Sequence, residues 1–249
     1  MQADRMQPTI AFSARSLPPS LTDPSLYGGI PARISSLADA REYEAAFDQV
    51  PIAGAFSHEI APRVWVGAQA AAGILAKFED TPGERDAVLK QLRERKTTVI
   101  VCCCDEGPSA RRFEADGIRY VDALLSDGSP QLIAASAGAF FSLLERAYPL
   151  TAAALARGDS ILVHCNSGMH RSASVALGLL MILQSEQGAD GLARVFASAV
   201  KQRPVIRPTF WPLLESKVFA EFARSLRAMG CILLLAFTGA WLHRAVTIW

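Results

Sequence analysis

One twelve-residue segment constrains this chain more than any other feature: Ile161-Leu-Val-His-Cys-Asn-Ser-Gly-Met-His-Arg-Ser172. The apolar run that begins at Ile161 predicts a strand, and apolar residues at helical spacing after Arg171 predict a helix. A strand joined to a helix by so short a loop turns backbone N–H groups toward one centre, and the helix adds its positive N-terminal end. The segment therefore predicts an anion-binding cradle with Cys165 at its mouth.

The residue types in this loop suit a bound oxyanion. Gly168 permits a backbone conformation that a Cβ would resist, and Arg171 offers a planar fork for two phosphate oxygens. The positive field of the cradle favours the thiolate form of Cys165, which is the nucleophilic form. Ser172 could donate a hydrogen bond to the sulfur, and His164 is expected to order the loop from beneath rather than to transfer protons. The predicted phosphate-binding positions are Asn166, Ser167, Gly168, Met169, His170 and Arg171.

Two plainer interpretations of this segment are weaker. A lone cysteine is commonly a buried, inert thiol at a strand end, but Cys165 is accompanied by a preceding histidine, a central glycine and a following serine. A metal site formed by His164, Cys165 and His170 lacks the paired ligand spacing of zinc sites. The sequence therefore predicts a catalytic cysteine and no metal.

The segment resembles the signature His-Cys-x-x-Gly-x-x-Arg-Ser/Thr of cysteine-dependent protein tyrosine phosphatases, and within them the compact dual-specificity phosphatases. Three other segments are similar to parts of that domain: 59–72 to its opening strand and turn, 117–127 to the strand before its general-acid loop, and 203–214 to the start of its last helix. The resemblance extends over about residues 56–226. It implies a three-layer α/β/α phosphatase domain with a central mixed sheet.

The resemblance also implies a general acid and a mechanism. Asp127 lies seven residues after Tyr120, as the acid does in that family, in the turn-rich segment Ser126–Pro130. The thiolate would attack phosphorus while Asp127 protonates the leaving oxygen, and water would then hydrolyse the cysteinyl-phosphate without a metal or organic cofactor. A plainer role for Asp127 is to cap a turn. Asp122, the rival acid, is expected to face solvent from a strand.

Several substrate classes stay open. The first is phosphotyrosine and phosphoserine or phosphothreonine in proteins. Relatives that act on inositol lipids often carry loop lysines, whereas this chain has Asn166, Met169 and His170, which disfavours polyphosphoinositides. The alternatives are a lipid or other small phosphoester and a phosphate-binding module with little turnover. A sulfurtransferase fits the spacing from Cys165 to Arg171 less well.

Charge and cysteine content constrain the partners of the chain and the compartment in which it folds. A net charge of +1 over 249 residues gives no basic field for nucleic acid. The five cysteines are odd in number, with three adjacent, which argues against a secreted disulfide framework and for a reducing compartment; no signal peptide is expected.

In some relatives a cysteine on the corresponding strand pairs with the oxidised nucleophile, so Cys102, Cys103 and Cys104 are candidate redox partners. Alternatively, they are small apolar residues that pack a strand.

The chain divides into three parts. Residues 1–55 form an N-terminal extension, expected to be largely flexible with one candidate helix at Leu37–Gln49, and 56–227 form the phosphatase domain. Predicted strands lie at 63–67, 97–103, 118–124 and from Ile161. Predicted helices lie at 86–96, 131–147 with a break near Pro149 and a further turn at 151–157, from Arg171 to a stop at Gly188, at 192–202 and at 212–227.

The C-terminal part, 228–249, is apolar. Ala228–Leu242 is uncharged, and as a helix it would span roughly 22 Å against about 30 Å for a bilayer core. Snorkelling by Arg227 and Arg244 could close the gap. A tail anchor would leave the catalytic domain in the cytoplasm at an intracellular membrane. A peripheral or partner-bound helix and a helix packed on the core are the alternatives.

Overall fold

The computed structural model describes residues 57–73, 82–107, 110–203 and 206–229. The N-terminal extension with its candidate helix Leu37–Gln49, and the apolar segment 228–249 except for its first two residues, lie outside the described residues. Within the described ranges, no helix has the length and apolar character to cross a membrane.

The centre of the structure is a mixed sheet of five strands in the order β1-β2-β5-β3-β4. The first two strands pair antiparallel, and all other neighbours pair parallel. The strands are β1 (Ser57–Ala61), β2 (Val64–Ala68), β3 (Thr97–Cys102), β4 (Arg119–Asp122) and β5 (Ser160–Cys165). Parallel strands require crossover connections, and these are usually helices that cover the faces of the sheet.

Helices cover the sheet unequally. One face carries α1 and a short turn at Gln69–Ala72 over a small apolar cluster, and the other carries the remaining helices over the main core. The helices are α1 (Pro82–Glu94), α2 (Pro130–Ala135), α3 (Ala137–Ala156), α4 (Arg171–Leu183), α5 (Gly188–Gln202), α6 (Trp211–Glu215) and α7 (217–229). This arrangement is the expected α/β/α layering.

Strand β5 lies in the middle of the sheet, and all six of its residues are buried. Ile161 and Val163 belong to the main core, whereas Leu162 belongs to the small cluster on the opposite face. The alternation of side chains along a strand therefore places Cys165 on the same face as Val163. Ligands of open α/β sheets bind beyond the carboxyl ends of the strands, which is where β5 delivers Cys165.

The predicted helix break near Pro149 is wrong. Helix α3 runs through Pro149 from Ala137 to Ala156, and the break lies at Ser136 instead. Pro149 is exposed, so water can hydrogen-bond the carbonyl that loses its N–H partner, while the buried face of α3 continues to pack. At Ser136 the hydroxyl donates to the Leu132 carbonyl and accepts from the Ser126 amide, which ties the chain to the preceding loop.

Two other helix boundaries also differ from prediction. Helix α4 ends at Leu183, and Gly188 begins α5 rather than ending α4. Ser185 already adopts a positive φ of 60°, so the chain leaves the helix before it reaches the glycine. The predicted helix 212–227 is two helices, because Ser216 is extended, with ψ of 152°.

Candidate active site

The sulfur of Cys165 lies inside the loop that joins β5 to α4. It accepts a hydrogen bond from the Gly168 amide, with N to Sγ 3.3 Å, and lies 3.2 Å from the Ser172 hydroxyl oxygen. Cys165 is fully buried, and these two polar groups both belong to the predicted signature. The loop therefore directs an N–H toward the sulfur and places a hydroxyl beside it that can donate to a thiolate.

Gly168 is required by two separate features of the loop. Its φ is +74°, in the region that side chains with a Cβ rarely adopt. A Cβ added to it would lie 2.5 Å from the carbonyl carbon of Gly67 and 2.8 Å from the amide nitrogen of Ala68, both backbone atoms of β2. The loop therefore packs directly on the neighbouring strand, and only glycine fits at this point.

Arg171, the first residue of α4, connects the cysteine loop to the segment that contains the predicted acid, Asp127. Its side chain is almost fully buried, and Nη1 donates to the Leu125 carbonyl at 3.1 Å. The Asp127 carboxylate lies 3.0 Å from Arg171 Nε and 3.4 Å from His170 Nδ1. The predicted acid and the predicted phosphate-binding arginine are thus in direct contact, and the carboxylate occupies one side of the guanidinium fork.

The Asp127 segment is held from both ends. The amide of Gly128 donates to the Ser126 hydroxyl at 3.3 Å, and the amide of Ser126 donates to Ser136 at 3.1 Å. Ser129 caps α2, its hydroxyl accepting from the Leu132 amide at 3.4 Å. The Asp127 side chain is about a quarter exposed, so the carboxylate meets both Arg171 and solvent.

Arg203 is a site residue that sequence reasoning missed. Its side chain is buried, and it donates to the Gly168 carbonyl at 3.0 Å and to the Ser167 carbonyl at 3.3 Å. It also contacts Nδ1 of His58 on β1. Burial and the charges of Arg203 and Arg95 lower the pKa of His58, so the neutral imidazole accepts this hydrogen bond. The segment 203–214 was predicted only as the start of a helix, and nothing in its spacing indicates a contact 35 residues upstream.

Backbone bonds hold the remaining predicted loop residues. The Gln69 amide donates to the Asn166 carbonyl at 3.3 Å, and the Arg207 amide donates to the Met169 carbonyl at 2.8 Å. Asn166 is exposed, and Met169 is partly buried. These two bonds tie the carbonyls of the loop to the segments beside it, and the Gly168 amide points to the Cys165 sulfur.

The expectation for Asp122 is wrong. Asp122 is buried rather than solvent-facing, and its carboxylate accepts from Arg111 Nη2 at 2.7 Å and from the Gly107 amide at 3.1 Å. A charged group at a sheet edge can be buried when such partners compensate its lost hydration. Asp122 therefore holds the segment that follows β3, and Asp127 is the carboxylate that contacts Arg171 and His170.

The three adjacent cysteines separate into two environments. Cys102 and Cys104 lie together, with sulfurs 4.0 Å apart, and the hydrogen bond from Cys104 lowers the pKa of Cys102. Cys103 belongs to the main core, on the Cys165 side of the sheet. Burial raises the pKa of Cys103, and the charge of a Cys165 thiolate raises it further. Of the three predicted redox partners, Cys103 is buried in the main core together with Cys165, and Cys104 packs against that core.

The imidazole of His164 makes no hydrogen bond to the loop that it was expected to order. The side chain is fully buried, and neither ring nitrogen makes a hydrogen bond of ordinary geometry among the described residues, although the ring interacts with the Cys102 thiol. The His164 backbone carbonyl accepts from the Cys103 amide at 2.9 Å, which continues the pairing of β5 with β3. The ring instead lies near Cys102 and Cys104, on the opposite face of the sheet from Cys165.

Comparisons with known proteins find similarity in structure only. Neither a protein-family model nor a curated protein matches the sequence. Human DUSP28 matches 72% of this chain and 97% of its own, at 22% identity and a TM-score of 0.48. A mouse putative dual specificity phosphatase complexed with zinc tungstate matches 73% and 92%, at 23% identity and 0.48. PTPMT1 in complex with PI(5)P matches 70% and 99%, at 15% identity and 0.47. The chain thus has a structural match to dual-specificity phosphatases over about 70% of its length, at low sequence identity.

Proposed function

We propose that this chain is a cysteine-dependent phosphatase that hydrolyses phosphotyrosine and phosphoserine or phosphothreonine in proteins through a cysteinyl-phosphate. The observation that carries the proposal is the position of the Cys165 sulfur, 3.3 Å from the Gly168 amide and 3.2 Å from the Ser172 hydroxyl, at the start of the helix that begins with Arg171. A nucleophile with oriented donors around it and a guanidinium beside it suits attack on a bound oxyanion.

In the first step the phosphoryl group replaces Asp127 on Arg171. The carboxylate and a phosphate dianion compete for the same guanidinium, so substrate binding displaces Asp127 from Arg171. Because Cys165 is fully buried, the groups that cover its sulfur must move before the phosphoryl group can reach it. The thiolate then forms the S–P bond as the P–O bond breaks, and Asp127 gives its proton to the leaving oxygen.

In the second step water cleaves the S–P bond. The Asp127 carboxylate takes a proton from the attacking water, and inorganic phosphate and the Cys165 thiolate are released. Ser172 can donate a hydrogen bond to the departing sulfur across the present 3.2 Å distance, which stabilises the thiolate as a leaving group. The charge on the equatorial oxygens is stabilised by Arg171 and by the loop amides in both steps.

Turnover of p-nitrophenyl phosphate tests whether the protein is an enzyme. Cys165→Ser should reduce turnover to background while inorganic phosphate or vanadate still binds, because the cradle remains. Cys103→Ser, a matched change of a buried cysteine on the same face, should retain turnover. Wild-type protein that binds phosphate but does not turn over the ester would instead indicate the binding module.

The role of Asp127 is tested by varying the leaving group. Asp127→Asn should lower kcat by about 10²- to 10⁴-fold for phenyl phosphate, since phenoxide needs a proton as it departs. The loss should be smaller for p-nitrophenyl phosphate, whose leaving group is more acidic. Asp159→Asn, at the other end of β5, is the matched control because it removes a carboxylate far from Cys165. Equal losses for both esters would contradict the assignment.

The substrate class is tested with two panels of phosphate esters. Leu124 and Leu132 are 63% and 55% exposed on either side of the Asp127 segment, so apolar surface flanks the site. In an extended phosphopeptide, side chains next to the phosphorylated residue would contact these leucines. A lipid phosphoester is the second candidate, because the same leucines would suit its apolar part. Faster phosphate release from phosphopeptides supports the first candidate, and faster release from phospholipid vesicles supports the second.

A further inference from the structure

The face of the sheet opposite Cys165 contains a second cluster of reactive side chains. Strands β3 and β5 pair Cys102 directly with His164, so these two side chains project from the same face of the sheet. Cys104 lies just beyond the end of β3, and its chain bends back so that its sulfur is 4.0 Å from that of Cys102. Two thiols and one imidazole thus meet where two parallel strands end.

The distances within this cluster are close to those of a metal site. One ligand atom from each of Cys102, Cys104 and His164 lies within 4.8 Å of the other two. Zn–S bonds of about 2.3 Å in a tetrahedral site hold two sulfurs about 3.8 Å apart. The observed 4.0 Å between the two sulfurs needs almost no adjustment, and movement of the His164 ring by about 1 Å would complete three-fold ligation.

His164 supplies an independent indication that the cluster binds a ligand. Its side chain is fully buried, and neither ring nitrogen makes a hydrogen bond of ordinary geometry among the described residues, although the ring interacts with the Cys102 thiol. Buried polar groups in proteins almost always have a well-formed partner, so this imidazole requires an explanation. A metal ion bound to the nitrogen that faces the two sulfurs would give that nitrogen its partner.

We propose that Cys102, Cys104 and His164 form a binding site for a thiophilic divalent metal ion, with Zn²⁺ as its natural occupant. Two thiolates and a neutral imidazole are ligands that zinc prefers, and each thiol gives its proton to solvent as its Zn–S bond forms. The fourth position falls to water or to Gln69, whose side-chain amide lies 3.4 Å from the Cys104 sulfur. A half-turn of that amide brings its oxygen to the same place.

This site differs from the metal site that the sequence analysis rejected. That set was His164, Cys165 and His170, and the structure separates it: the side chain of Cys165 projects to the main core and that of His164 to the opposite face. The ligands combine a Cys-x-Cys pair at the end of one strand with a histidine at the end of its neighbour. Their separation along the chain is long, but the parallel pairing of β3 and β5 brings them together.

Zn²⁺ and Co²⁺ titrations of the full-length, reduced and chelator-treated protein test the proposal. The protein carries Cys165→Ser throughout, so that the thiolate proposed for catalysis cannot bind the metal. We expect one equivalent of Zn²⁺ to compete with a chromophoric chelator. Co²⁺ should give the near-ultraviolet thiolate-to-metal charge-transfer band and the intense visible bands of a tetrahedral site. Absence of the charge-transfer band would overturn the proposal.

Two further substitutions in this background locate the ion. Cys104→Ser should weaken Zn²⁺ binding by more than the roughly 10- to 100-fold that loss of an outer-sphere partner costs. Cys103→Ala, the matched control from the same cysteine run, should leave binding within about threefold, because its side chain packs in the main core. Equal binding in the Cys104 variant, or equal losses in both variants, would place the ion elsewhere and refute the assignment. The Co²⁺ spectrum of the unsubstituted cluster decides the question if the Cys104 variant does not fold.

Discussion

Replacement of Gly168 by alanine tests the packing of the cysteine loop against β2. The added Cβ would lie 2.5 Å from the Gly67 carbonyl carbon, 2.7 Å from its oxygen and 2.8 Å from the Ala68 nitrogen. These are backbone atoms of a strand inside the sheet, so no side-chain rotation can relieve the overlap. Gly168 must move by about 0.5 Å to bring the closest contact to 3.0 Å, and by about 0.9 Å to reach the ordinary 3.4 Å.

This displacement sets the expected magnitude. The Gly168 amide donates to the Cys165 sulfur, so the movement disturbs the nucleophile directly. A misplacement of about 1 Å in a catalytic group costs about 10²-fold in rate, and we expect kcat to fall by about that factor. Stability should fall by about 2–4 kcal/mol, from left-handed backbone strain and from overpacking together.

Gly117→Ala is the matched control. Gly117 has a φ of +87°, but an added Cβ would meet nothing within 4 Å, and the residue lies outside the site. This variant carries the backbone strain without the overlap, so it should lose about 1–2 kcal/mol of stability and retain kcat. Chemical denaturation and p-nitrophenyl phosphate turnover of both variants separate the two effects. Activity of Gly168→Ala within two- to threefold of wild type would refute the argument that the loop's position depends on contact with β2.

The remaining predictions concern the supports of the site. Arg203→Lys should lower kcat/KM by about 10-fold and stability by about 2 kcal/mol, because an ammonium cannot reproduce the guanidinium's hydrogen bonds to Gly168 and Ser167. Turnover and chemical denaturation measure the two effects. Unchanged values of both would show that Arg203 does not support the loop. The folded-state pKa of His58 lies below its unfolded value of 6.5, so its contribution to stability is complete above that value and declines as pH falls below it. Denaturation midpoints near pH 7.5 and near pH 5.5 should therefore differ more for wild type than for His58→Gln. An equal difference in the two proteins would show that His58 does not contribute to the pH dependence of stability. Ser129→Ala should lower the free energy of unfolding by about 0.5–1 kcal/mol, a low value for an N-cap because the hydrogen bond is 3.4 Å long. An unchanged free energy of unfolding, measured by chemical denaturation, would show that the cap contributes nothing.

The sequence was most informative where local rules decide the structure. The apolar run, the glycine and the arginine around Cys165 specify a strand, a tight loop and a helix within twelve residues, and the structure has these elements at Ser160–Cys165 and Arg171–Leu183. The strands at 97–103 and 118–124 were likewise placed to within about two residues at each end, since β-branched runs are local signals. The choice of Asp127 as the candidate general acid rested on family resemblance, and its contact with Arg171 was not predicted.

The errors arose where tertiary contacts override local preference. Pro149 is tolerated inside α3 because its side of the helix is exposed, and exposure cannot be inferred from a proline alone. Asp122 is buried because Arg111 folds back to meet it. Arg203 and His164 depend on the order of strands in the sheet, which brings distant residues side by side. A single sequence gives no direct signal of such neighbours.

The buried Arg203 has a consequence for how the outermost strand influences the centre of the sheet. Among the described strands β1 lies at one edge of the sheet, yet its His58 meets the guanidinium that secures two carbonyls of the cysteine loop. Edge strands are the parts of a sheet that are most open to added strands. A protein that docks on β1 would therefore alter the stiffness of the nucleophile loop from a distance, without touching Cys165.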